Sequence, residues 1–186
     1  MRRWCKVAAA LLAYGTLQAC AAVAQTVQPG QIQLRDDQFR PYREYTTGRI
    51  RGGTHPNLLE IELNGRIDRQ SGAVTTLFHV EFAYLGSRKR NYEAARNSRA
   101  QTLAFTKLGS SGRCSAGRTC PYSEVFTIEI PLTELRQVPS EGYQFKVFAR
   151  QGPDAQLGMA KAQIMALLAK IDADRLTRTK SGQQNK

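Results

Sequence analysis

The stretch Leu59-Glu60-Ile61-Glu62-Leu63-Asn64-Gly65-Arg66-Ile67, followed by Asp68-Arg69-Gln70-Ser71-Gly72 and then by Leu77-Phe78-His79-Val80-Glu81-Phe82-Ala83-Tyr84, decides how this chain folds. Successive side chains of a strand point to opposite faces, so a half-buried strand alternates apolar and polar residues. Leu59, Ile61, Leu63 and Ile67 share one parity, and Glu60, Glu62, Asn64 and Arg66 the other. Phe78, Val80, Phe82 and Tyr84 likewise oppose Leu77, His79, Glu81 and Ala83. The link between the two runs is rich in turn formers and has hairpin length. Together they predict an antiparallel hairpin with one buried face.

The same period recurs outward from this hairpin. Leu103 and Phe105 begin a run toward the Gly109-Ser110-Ser111-Gly112 loop. Phe126, Ile128, Ile130 and Leu132 alternate with Val125, Thr127 and Glu129, and Tyr143, Phe145, Val147 and Ala149 with Gln144, Lys146, Phe148 and Arg150. Pro139-Ser140-Glu141-Gly142 supplies the turn before that last run, and residues 42–51 form a weaker strand ending at Gly52-Gly53. About six to seven short amphipathic strands predict an antiparallel β-sandwich of immunoglobulin- or transthyretin-like architecture, or an open barrel. Near the end the period changes: Ile164, Leu167, Leu168 and Ile171 lie at i, i+3, i+4 and i+7, the stripe of one C-terminal amphipathic helix of about three turns. Its polar positions carry acids and no aromatics, so the stripe is expected against the sheet rather than on a membrane surface.

The N-terminus reads as an export signal. Arg2, Arg3 and Lys6 precede the uncharged, alanine-rich segment 7–24, which closes on Ala22-Val23-Ala24 before Gln25. A positive start, an apolar middle and small residues two apart make a cleavable secretory signal. Leu17-Gln18-Ala19-Cys20 offers a second processing reading, in which Cys20 is lipidated and becomes the first residue. The expected organisation is therefore a signal peptide (1–24), an extended entry segment (25–40), one β domain with its helix (41–176) and a disordered basic tail (177–186). The expected location is the periplasm, or the periplasmic face of an outer membrane if Cys20 carries lipid.

Export changes how the remaining residues read. Cys114 and Cys120, with five residues between them, in an oxidising compartment predict a disulfide. Closing so short a loop contributes about 2–3 kcal/mol at most. A zinc half-site would need a second pair of Cys or His ligands, which the chain lacks. Loss of Arg2, Arg3 and Lys6 lowers the formal charge from +12 to +9, still strongly basic. Outside the cytoplasm that field points to lipid head groups, polysaccharide or acidic proteins rather than nucleic acid.

Candidate sites are few. His79 and Glu81 share a strand face and His55 stands in a Gly-Gly-Thr-His-Pro loop, but no nucleophile or metal partner accompanies them. Gly-x-Ser-x-Gly, Ser-x-x-Lys and phosphate-loop patterns are missing, so the sequence nominates no catalytic site, no metal and no cofactor. The most concrete feature is Ser87-Arg88-Lys89-Arg90-Asn91-Tyr92 with Arg96 and Arg99, expected as a loop or helical turn at one end of the domain. These residues suit sulfate, phosphate or a carboxylate-rich partner. In architecture the chain resembles small exported β-sandwich proteins of Gram-negative envelopes, without a motif specific to any family. The expected role is non-enzymatic binding or scaffolding of an envelope protein or an anionic envelope surface. The alternatives are a lipidated accessory subunit of a secretion or conjugation system, and a small periplasmic hydrolase or inhibitor acting through end loops.

Overall fold

The computed structural model describes residues 31–51, 55–112 and 118–183. The expected export signal, Cys20 and Cys114 lie outside them. The decisive hairpin forms as β4 (Leu58–Asp68) and β5 (Val74–Gly86), paired antiparallel from Ile67–Val74 to Leu58–Phe82. Asp68 shapes its turn by accepting the backbone N–H groups of Gln70 and Ser71 at 3.1 and 2.7 Å.

Around it run β1 (Gln33–Arg35), β2 (Tyr42–Thr46), β3 (Ile50–Arg51), β6 (Tyr92–Asn97), β7 (Thr102–Ser111), β8 (Cys120–Ile130), β9 (Tyr143–Ala149) and β10 (Ala155–Met159). Among the described residues nine strands follow one antiparallel path, β1-β2-β4-β5-β8-β7-β6-β9-β10, with the two-residue β3 beside β4. This is one curled sheet, a half-barrel, with more strands than the six to seven expected. The surplus strands are those with weak alternation. β1 and β3 are too short to show a period, and β6 (Tyr-Glu-Ala-Ala-Arg-Asn) has helix-favouring residues that tertiary pairing overrides. β7 passes from β8 to β6, which it meets at Leu103–Ala95 and Thr102–Arg96.

Curling brings β5 and β8 face to face with β6 and β9. Phe78 meets Phe145 with ring centres 5.0 Å apart, and Phe82 meets Tyr92 at 4.9 Å. Residues of the expected inner parity (Ile61, Leu63, Phe78, Phe82, Phe126, Ile128, Val147) are buried there. One phase error is corrected in β4. A bulge between Leu58 and Glu60 shifts the register, so Leu58 is 4% exposed and Leu59 43%, the reverse of the simple alternation. Leu58→Ala is therefore expected to cost about 2–3 kcal/mol in urea unfolding, and Leu59→Ala less than about 0.5. Equal costs would place the bulge elsewhere.

The strand ending at Ile130 stops at Pro131. Leu132, read from the sequence as its last inward residue, instead opens the short helix α1 (Leu132–Arg136), whose Leu135 is buried. The terminal helix α2 (Lys161–Gln183) buries the predicted stripe Ile164, Leu167, Leu168 and Ile171 against the sheet. Gly65 of β4 lies under this helix, where a Cβ would overlap Ile171 Cδ1 and make that side chain shift. The helix also runs past the expected end of the domain at 176. Thr177 Oγ1 donates to Ala173 O at 2.9 Å and Arg178 pairs with Asp174 at 3.2 Å in its last turns.

Candidate anion-binding groove

Five of the six residues named in the basic cluster keep exposed or half-buried positions, but they do not form one patch. Arg88, Lys89 and Arg90 lie in the turn between β5 and β6, while Arg96 and Arg99 lie at the far end of β6. Six strand residues at about 3.3 Å each separate the two groups by roughly 20 Å. Tyr92 is a core residue, 1% exposed, and not a surface aromatic. Its parity was legible: it begins β6 facing Phe82 and Phe126.

Glu124 organises the β5–β6 turn. It sits on the inward parity of β8 with Tyr122, Phe126 and Ile128, and its side chain is fully buried. Its carboxylate accepts from Tyr84 OH at 2.5 Å, Asn91 N at 3.0 Å, Tyr92 N at 3.2 Å and Lys107 Nζ at 3.1 Å. A buried charge is costly unless its lone pairs are satisfied, and here four donors satisfy them. Tyr84 OH in turn accepts Arg90 N at 2.7 Å. Burial, and then the Glu124 carboxylate, raises the Tyr84 hydroxyl above its ordinary pKa, so it remains a donor. Asn91 takes φ +54°, a left-handed conformation that asparagine tolerates, and Arg150 N and Gln151 N donate to Asn91 O and Arg90 O at 3.0 and 2.9 Å.

Arg90 is thereby fixed in both backbone and side chain. Its guanidinium lies 4.4 Å from the centre of the Tyr84 ring, and Nη1 donates to Tyr92 OH at 3.1 Å. With the Asn57 amide oxygen turned toward it, Nη2 and Nη1 also donate there at 3.0 and 3.2 Å. Beside it opens a groove of about 370 Å³ between residues 86–90 and Gln151-Gly152-Pro153. Among the described residues the lining holds Arg88 and Arg90 and no carboxylate. Lys89 points elsewhere, with Nζ 3.0 Å from Ser110 Oγ.

His55 belongs to the same end. Its Nδ1 accepts Asn57 N at 3.1 Å, and its ring stands edge-on to Phe82 at 5.4 Å. Burial, and then the Arg90 charge, lowers its pKa below the ordinary histidine value. His79 faces Glu62 on one neighbouring strand and Thr127 on the other, on the opposite surface of the sheet. No hydrogen bond joins it to Glu81, which instead accepts from Ser123 Oγ at 3.3 Å. Glu62 is already engaged by Arg35 at 2.9 Å and by the Thr46 hydroxyl. The outward glutamates of β2 and β4 are structural partners of arginines, as Glu44–Arg66 at 2.8 Å and Glu60–Arg49 at 3.1 Å also illustrate.

A second polar cleft, about 230 Å³, lies at the far end of β6. Glu134 there accepts from Tyr143 OH at 2.7 Å and Asn97 Nδ2 at 3.0 Å, with Arg99 Nη2 at 3.8 Å. These bonds tie α1 to the β6–β7 turn, where Ala100 has φ +62°, and they use the carboxylate for structure. Arg96 lies 5.2 Å over the Phe148 ring. Cys120 opens β8 beside Gly86 of β5, and its expected partner lies outside the described residues. Among the described residues no helix is long and apolar enough to cross a membrane.

Glu124 and Asn57 escaped the sequence reading. Glu124 had a signal: counting back by twos from Phe126 places a carboxylate on the apolar parity of β8. Asn57 had none, because its role depends on a turn that carries it back beside Arg90. No family model, curated protein or solved structure matches this chain.

Proposed function

We propose that this is an exported, non-enzymatic envelope protein that binds or scaffolds, and that it meets an anionic envelope surface or partner through the basic end of its half-barrel. The observation that carries the reading is the buried Glu124, whose bonds hold a turn bearing three consecutive cations in one conformation. A fully buried carboxylate committed to the backbone of a surface turn is a device for preorganisation, which reduces the ordering cost of binding. The N-terminal export signal and the Cys114–Cys120 disulfide belong to the same proposal, as does the periplasm as compartment. Lipidation of Cys20 would tether the binding module to a membrane.

The test is sedimentation with vesicles containing anionic lipid at low salt. Each basic residue near such a surface contributes about 1 kcal/mol, so R88A/K89A is expected to weaken binding by roughly 30-fold. Binding by the unaltered protein should fall steeply as salt is raised. Unchanged binding by the double variant would remove the basic end from the mechanism.

A further inference from the structure

We propose that the groove between residues 86–90 and Gln151-Gly152-Pro153 is a discrete binding site for a phosphate monoester, with Arg90 as its fixed donor and Arg88 as its mobile second cation. The inference rests on the binding role proposed above but is narrower, since a diffuse basic surface needs no such pocket.

The donor inventory of Arg90 carries the argument. A guanidinium has five N–H donors. Tyr92 OH takes one from Nη1, and the Asn57 amide oxygen takes the remaining one from Nη1 and one from Nη2. The edge formed by Nε and the outer N–H of Nη2 is left over, and among the described residues nothing accepts from it. That edge is the one that grips two oxygens of an oxyanion side by side. Tyr84 stacks under the guanidinium plane and Tyr92 holds its other edge, so the open edge is not free to swing away. No carboxylate pairs with Arg90 among the described residues, although its residue is only partly exposed. A half-buried guanidinium without a paired carboxylate leaves donors to be satisfied, and a bound anion would satisfy them.

The walls fit the same ligand. Gly152 takes φ +82°, which favours glycine, and lies beside the aliphatic stem of Arg90, where a Cβ would stand 3.7 Å from Arg90 Cγ. A volume of about 370 Å³ exceeds a bare phosphoryl group and leaves room for the carrier attached through the ester oxygen. Charge count favours phosphate over carboxylate. Among the described residues two arginines and no acid line the groove, so a monoester dianion compensates both, whereas a carboxylate leaves one unmatched.

His55 gives the experiment an internal probe, and His79 an internal control, since the chain holds these two histidines. The field of Arg90 acts on His55, so a dianion on the open edge should make His55 easier to protonate. Proton NMR titration of both histidines at constant ionic strength, with and without inorganic phosphate, is expected to raise the His55 pKa by about 0.5 unit or more. His79 should stay put. Acetate at the same concentration should move His55 less than half as far. R90Q should abolish the phosphate response, R90K, which keeps the charge without the fork, should weaken it, and R88Q should raise the half-saturating concentration several-fold.

Glycerol 1-phosphate and vesicles bearing a phosphatidate headgroup then separate a soluble ester from a lipid. A His55 response to either supports the monoester site, and a response to inorganic phosphate alone overturns it. The proposal also falls if His55 ignores phosphate, if His79 shifts equally, or if the response survives R90Q. Should His55 ignore phosphate while R88A/K89A still loses vesicle binding, the groove is wrong and the broader basic-end reading stands. Should R90Q fail to fold, which the His79 signal would reveal, R90K and R88Q carry the test.

Discussion

Glu124→Ala is expected to cost about 3–5 kcal/mol in urea unfolding, and to release the β5–β6 turn even where the protein remains folded. The alanine removes the acceptor for Tyr84 OH, Asn91 N, Tyr92 N and Lys107 Nζ together. Lys107 is partly exposed and recovers water. Tyr84 and Tyr92 are buried, so their orphaned donors each carry a penalty of about 1–3 kcal/mol. The lost volume adds a cavity cost in the same direction. Glu124→Gln keeps one oxygen acceptor but places an NH₂ group among donors, so it should recover only part of the loss. Amide exchange at Asn91 and Tyr92 gives the local readout. It should accelerate in Glu124→Ala by more than at Phe126, two residues further along β8. A cost below about 1 kcal/mol would mean that the turn holds itself, and would remove Glu124 as its organiser.

The hairpin at the centre of the fold was readable because both its strands are long and one face is continuously apolar. Phe78, Val80, Phe82 and Tyr84 hold their parity through the whole of β5 and all are buried. The stripe of α2 was readable for the same reason, at helical period. What failed was local chemistry acting over one or two residues. The bulge at Leu58 exchanges two adjacent leucines, and neither neighbour announces it. β6 looks helical until β7 and β9 supply its hydrogen bonds, with Ala95 facing Leu103 on one side and Val147 on the other.

The candidate site was half legible for related reasons. A run of three cations is visible in any sequence, and it falls in the turn between β5 and β6. The division among them was not visible, because it depends on where Tyr84, Asn57 and Ser110 fall in space. Arg90 turns into the groove edge, Lys89 turns to β7, and Arg96 and Arg99 leave for the far end of the sheet. A charge cluster in sequence is thus one surface only when its residues sit on one loop. Here a six-residue strand intervenes.

Phe78→Ala tests the closure of the half-barrel itself, with an expected cost of about 3–5 kcal/mol. Phe78 is fully buried, and its ring lies 5.0 Å from Phe145 and 6.2 Å from Tyr143, on the wall that faces β5 across the core. Truncating it removes contacts between walls rather than along one strand. Phe39 is the matched control: it is 88% exposed, and Phe39→Ala should change stability by less than about 0.5 kcal/mol. The sharper measurement is the double-mutant cycle with Phe145→Ala. Aromatic pairs at this separation are coupled by about 0.5–1.5 kcal/mol beyond their area, and residues in contact depart from additivity by a similar amount. A sheet that lay open would bury Phe78 against other side chains and leave Phe145 independent of it. Additive losses would therefore count against the curled architecture, even if each single substitution were costly.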